Sequence, residues 1–137
     1  MFTVTIEPRF GDADGLGHIN NIVLAMWFET GRNGVFRIFN PVMNLDPAAW
    51  NLILAHADYD YLDQMFLYPE VEIRTWIEKI GVTSFTIYHE AWQEGRLCAK
   101  GHVVAVHYDF VRHESTPLPE DKRKLLAEHL LPATDRQ

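Results

Sequence analysis

The chain opens on strict alternation: Phe2, Val4 and Ile6 interleave with Thr3, Thr5 and Glu7, the period-2 signature of a strand with one buried face. Gly11 to Gly17 breaks that pattern as a loop. From Asn21 to about Phe39 the pattern predicts a helix, beginning with the unbroken apolar run Ile22 through Phe28. A helix that is apolar nearly all round is expected to be buried nearly all round. Polarity returns at Glu29, Arg32, Asn33 and Arg37, which fall on one narrow face. Gly31 and Gly34 would each cost about 1 kcal/mol relative to alanine inside a helix, so they allow close backbone contact or mark a break.

Beyond a connection over Asn40–Asp46 and a short turn around Ala48, the pattern predicts strands over Leu52–Leu62, Val71–Ile80, Val82–Trp92 and Leu97–Phe110. Val71, Ile73, Thr75 and Ile77 share one strand face, and Gln93–Arg96 supplies a glycine-containing hairpin turn. Tyr59 and Tyr61 alternate with Asp58 and Asp60, so one face of that strand is expected to meet water. From Pro119 a short helix follows, with proline at its first position and acidic residues in its first turn. Four strands in series with short turns predict a largely antiparallel sheet. Curved around one apolar helix, it makes an α+β fold.

Composition narrows the function. At 137 residues the chain is expected to form a single domain spanning 1–137, with a core drawn from the 47% of residues that are apolar. Nineteen acidic residues against twelve basic ones give a net charge of −7, which argues against general nucleic-acid binding. Cys98 is the only cysteine, so neither an intrachain disulfide nor a CxxC pair can form. No apolar run approaches the roughly 20 residues of a membrane span, and the first ten residues lack a signal-peptide core. A cytoplasmic location without membrane attachment is the expectation.

The segment FGDADGLGHINN, running into the apolar helix, resembles the entrance of the hotdog-fold acyl-CoA thioesterases, nearest to the 4-hydroxybenzoyl-CoA thioesterase-like branch. IEKIGVTSFTIYHEAW, EGRLCAKGHVVAVHYD and TPLPEDKRKLL are similar to later parts of the same family, and Asp14 to Asn21 is the most specific stretch. The resemblance implies a long helix wrapped by a curved sheet, and a homodimer or homotetramer with acyl-CoA sites at the subunit interface.

Thioester hydrolysis needs a nucleophile or general base and a donor for the charge that develops on the carbonyl oxygen; the thiolate leaves without a strong acid. A carboxylate just ahead of a buried helix entrance supplies the first, and free amides at the helix N-terminus supply the second. Matched to the family motif, Asp14 is the catalytic carboxylate, the backbone N–H of Asn21 polarises the carbonyl, and His18 assists. Gly17, Asn20 and Ser84 are expected to contact substrate. Asp12 fits the motif spacing less well and is read as a ligand of loop amides. Glu29 is the fallback carboxylate, because some relatives place the catalytic acid on the central helix.

The seven histidines show no HxH or HExxH spacing, so no metal site and no cofactor are expected. Cys98 lacks a partner motif and is read as a packed thiol. Arg74, Lys79, Arg96, Lys100, Arg112, Lys122 and Arg123 could meet the phosphates of coenzyme A. Trp27, Phe28, Trp50, Tyr59 and Tyr61 could line an acyl or aryl pocket or simply fill the core. The expected activity is hydrolysis of an acyl- or aryl-CoA to the free acid and CoA. A non-catalytic acyl-CoA-binding module is the alternative on the same fold.

Overall fold

The computed structural model describes residues 1–133. Strand β1 (Phe2–Ile6) leads through a 3-10 turn, Phe10–Asp12, to helices α1 (Val23–Gly31) and α2 (Asn33–Phe39). Strands β2 (Leu52–Tyr61), β3 (Val71–Ile80), β4 (Ser84–Gln93) and β5 (Arg96–Asp109) follow. A two-residue strand β6 (Glu114–Ser115) and helix α3 (Glu120–Ala127) end the described chain. The sheet runs β1-β3-β4-β5-β2 with every neighbouring pair antiparallel, and β6 pairs with β5.

Burial alternates without fault along β3 from Val71 to Ile77, and the same alternation runs along β4. The inward positions receive the helices, as the period-2 pattern predicts. Leu24, Phe28, Ile73, Ala91 and Ala99 close to 0% exposure under α1. Val35, Phe39, Ile77, Phe85 and Leu126 form a second cluster under α2 and α3. Fully burying a side chain of this size stabilises the fold by about 1.5–3 kcal/mol.

Five expectations need correction. β2 and β3 are consecutive in sequence but not neighbours: β2 pairs with β5 at one edge, and the segment 62–70 crosses to the other side of the sheet. As an edge strand, β2 is exposed on both faces from Ile53 to Ala57, so the tyrosine–aspartate alternation says little about its first half. The helix is also not buried all round, because Ile22 and Met26 are 73% and 53% exposed. In α3, Pro119 stands one residue earlier than expected, at the N-cap position with extended backbone.

The fifth correction concerns Arg32, placed by the pattern on a polar face. The helix breaks there, and Arg32 turns inward to 3% exposure. Its Nη1 lies 3.3 Å from His89 Nε2, and His89 Nδ1 lies 2.8 Å from Thr75 Oγ1. A guanidinium only donates, so His89 Nε2 is the acceptor and the ring proton sits on Nδ1, donated to Thr75. Gly31 makes room for this unit: a Cβ there would lie 2.7 Å from Ile73 Cγ2 and 3.0 Å from Thr75 Oγ1. Both sequence readings of the glycines hold, since the helix packs closely on β3 and breaks one residue later.

Burial, reinforced by the charges of Arg32 and His102, holds the His89 pKa well below the ordinary histidine value. The unfolded chain therefore takes up a proton near pH 6.5 that the folded chain refuses. Stability present above that pH is lost as pH falls through it, with a limiting slope of about 1.4 kcal/mol per pH unit. His129, lowered by burial and then by the N-terminal ammonium, adds to the same window. Thermal unfolding followed by circular dichroism from about pH 7 to about pH 5 is expected to show a falling midpoint. In His89→Gln that fall should be shallower.

Candidate active site

The loop between β1 and α1 is held by side chains standing in for absent backbone partners. Asp12 closes the 3-10 turn, its carboxylate accepting the Arg9 N–H at 2.8 Å and Arg9 Nη2 at 3.1 Å. The residue is 3% exposed. Burial opposes its charge, but the Arg9 amide and guanidinium outweigh that cost and hold the carboxyl below its ordinary pKa. Its carbonyl also accepts the Asn20 N–H at 2.8 Å. Asp12 is a frame residue, in agreement with the sequence reading.

Asp14 is placed differently. One carboxylate oxygen, Oδ1, accepts the amides of Leu16 at 2.8 Å and His18 at 3.2 Å. Among the described residues the other oxygen has no hydrogen-bond donor, and the residue is exposed. The Asp14 backbone closes the same turn, donating to the His18 carbonyl at 2.7 Å and accepting from Gly17 at 3.2 Å. Gly17 does so at φ +80°, a conformation that costs a residue bearing Cβ about 1 kcal/mol or more. The result is a carboxylate fixed in direction with one oxygen left over.

The crossover segment supplies the facing wall. His18 bridges to Phe66, the Ile19 N–H donates to the Met65 carbonyl at 2.8 Å, and the His18 ring meets Phe66 edge-on at 5.4 Å between centroids. Gln93, 1% exposed, anchors that segment by bonding both backbone groups of Phe66 and the Pro69 carbonyl.

Helix α1 starts at Val23, two residues later than the Asn21 start the pattern predicts, for a local reason. Asn20 Oδ1 accepts the Ile22 N–H at 3.2 Å, and the Asn20 carbonyl takes the Val23 N–H at 3.0 Å. Ile22 is then the N-cap, so Asn21 stands ahead of the helical ladder. Among the described residues the Asn21 N–H has no acceptor, while its carbonyl accepts the Tyr61 hydroxyl at 2.9 Å.

These groups share an open cleft of about 720 Å³. Asp14, His18, Asn20 and Asn21 line it from the loop, Ile19 and Leu24 form part of its apolar lining, and Tyr61 to Met65 line it from the crossover side. Four of the expected site residues therefore meet in one place, and Gly17 shapes the turn between them. Ser84 does not join them within one chain. It pairs with Val106, seven residues along β5 from Ala99, which is the partner of the cleft residue Tyr61; at about 3.3 Å per residue the separation is about 23 Å.

Glu29 is exposed on α1 and does not line the cleft. Cys98 is buried, and burial pushes its thiol pKa up, which opposes a nucleophilic role. Among the described residues no group of three or more His, Cys, Asp or Glu is placed to hold a metal ion. Of the candidate cations, Arg96 stands beside the cleft through a 2.5 Å ion pair with Asp63. The sequence reading missed Leu62 to Met65, because nothing in a local pattern announces that this connection returns past the helix entrance.

Comparison with known proteins bears on this geometry. A model of the thioesterase-like superfamily matches residues 8–128. The chain is 30% identical over 102 residues to the uncharacterized protein YsmA of Bacillus subtilis (strain 168), covering 74% of this chain and 68% of that one. A predicted thioesterase from Bacillus stearothermophilus superposes with a TM-score of 0.91 at 41% identity, covering 95% and 96% of the two chains. A thioesterase from Thermus thermophilus, solved with coenzyme A and Zn, superposes with a TM-score of 0.80 at 28% identity, covering 93% and 92%. The architecture is the hotdog fold.

The two loop aspartates should separate experimentally. Asp12→Ala is expected to lose about 1–2 kcal/mol of stability in urea denaturation, the cost of an unmade cap. The folded fraction of that variant should keep its turnover.

Proposed function

The chain belongs to the thioesterase-like superfamily, and from that membership we infer that it hydrolyses an acyl- or aryl-coenzyme A thioester, at the Asp14 cleft, to the free acid and coenzyme A. Thioester hydrolysis is the activity of the family; the substrate class and the residue roles are the proposal. One observation carries it. A carboxylate oxygen and a backbone N–H, each without a protein partner among the described residues, line the same cleft at the entrance of a well-packed helix.

In this reading Asp14 acts as general base or as nucleophile. As a base it takes the proton of a water whose oxygen attacks the thioester carbonyl carbon. As a nucleophile its free oxygen forms the new C–O bond, and water hydrolyses the resulting anhydride. In either case negative charge develops on the carbonyl oxygen, and the Asn21 N–H donates to it with the positive end of the α1 dipole behind. The C–S bond then breaks and the sulfur leaves as thiolate. The His18 ring, with no hydrogen-bond partner among the described residues, lies on the same wall and assists by contacting the thioester. The structure solved with coenzyme A supports coenzyme A as the carrier here, and Ile19, Leu24 and Met65 offer apolar surface to the acyl group.

A homodimer or homotetramer belongs to the same proposal. Ile22 at the N-cap of α1, Met26 on that helix, and Ile53 and Leu54 on the edge strand are all more than 40% exposed, a set that a second copy of the chain would cover. Light scattering is expected to return two or four times the 15.9 kDa chain mass, and Met26→Glu with Ile53→Lys to reduce it.

Coenzyme A release, followed with a thiol-reactive dye over short, medium, long and aromatic acyl-CoAs, tests the chemistry. Asp14→Asn is expected to lower kcat by about 10²–10⁴-fold, with folding and assembly intact. Asp12→Asn should stay near wild type. Full activity in Asp14→Asn would remove Asp14 from the mechanism.

A further inference from the structure

We propose that Tyr61 is a positioning residue for this reaction, its hydroxyl holding the Asn21 carbonyl and so fixing the backbone rotation at Asn21 that aims the Asn21 N–H at the developing oxyanion. The proposal rests on the reading of that amide as the oxyanion donor. Asn21 and Ile22 are exposed, so core packing does not hold this end of the helix. Upstream, the peptide that carries the Asn21 N–H is tied through its Asn20 carbonyl, which accepts the Val23 N–H at 3.0 Å. Downstream, the Asn21 carbonyl lies outside the helical ladder because Ile22 is the N-cap. Tyr61, reaching from forty residues away, is its partner at 2.9 Å. With both flanking peptides held, rotation about Asn21 is removed.

The anchor is itself rigid. Tyr61 pairs with Ala99 at the end of β2, and the next two amides, Leu62 and Asp63, both donate to the Cys98 carbonyl at 2.9 and 3.0 Å. Burial and then the neighbouring Tyr59 raise the Tyr61 pKa, which keeps the hydroxyl a donor. At 53% exposure the ring adds little to the core, so the contact has no packing role that explains it. A fixed donor is what an oxyanion site requires, since misplacement by about 1 Å costs on the order of 10²-fold in rate.

Tyr61→Phe keeps the ring and removes the hydroxyl. Its kcat is expected to fall about tenfold or more, yet less than the ~10²–10³-fold lost when an oxyanion donor is deleted. KM should stay within about twofold and the thermal midpoint unchanged, the pattern of an interaction that acts in the transition state. By NMR, the order parameter of the Asn21 N–H should fall. An unchanged kcat, a raised KM alone, or a lowered midpoint with unchanged kcat would each overturn the proposal. Asp14→Asn is measured in the same series. If it retains full turnover, the reading of the site fails; if it is inactive while Tyr61→Phe is unimpaired, only the role of Tyr61 falls.

Discussion

The close approach of α1 to β3 is the constraint on which the cleft depends. Gly31 lets the helix backbone settle where any side chain would collide with Ile73 and Thr75, and Phe28 stacks on the His89 ring at 4.7 Å. A helix seated that tightly at one end cannot rock, so the direction of its other end is set by the sheet. A looser contact would leave the free amide at the entrance without a fixed orientation, and the loop carboxylate opposite it without a fixed counterpart.

Electrostatics follow the same axis. Arg32 is a buried cation whose Nε has no partner in the described protein, and desolvation lowers its pKa. It sits at the C-cap of α1, where the helix dipole is negative, and its guanidinium lies 6.0 Å from the Phe36 ring centroid. These weak attractions, with His89 held as an acceptor, partly offset the cost of burying the charge. At the opposite end the Asp14 carboxylate shares a cleft with the helix entrance.

Much of this was legible in the sequence where burial is one-sided. The β3 boundaries, Val71–Ile80, match the sequence reading, because from Val71 to Ile77 that strand has the core on one face. The motif Asp14 to Asn21 put a carboxylate and a helix entrance in one short stretch, and the fold brings both to one cleft. What escaped depends on contacts distant in sequence. Arg32 looks solvated on a helical wheel, and only the sheet's buried histidine draws it inward. β2 pairs at the far edge because the connection after Tyr61 crosses the sheet, which no local pattern encodes. The helix start shifts by two residues because Asn20 and Tyr61 take backbone groups that an ideal helix would keep.

The two proposed catalytic groups differ in how they are written in the gene. The carboxylate belongs to the Asp14 side chain, so one base change to an asparagine codon would remove it and leave the cleft standing. The amide belongs to the main chain, and almost any residue at position 21 would still provide it. Loss of hydrolysis is thus one mutational step away and loss of the binding surface many steps away. Among descendants of such a chain, retained ligand capture without turnover is the state that drift reaches first.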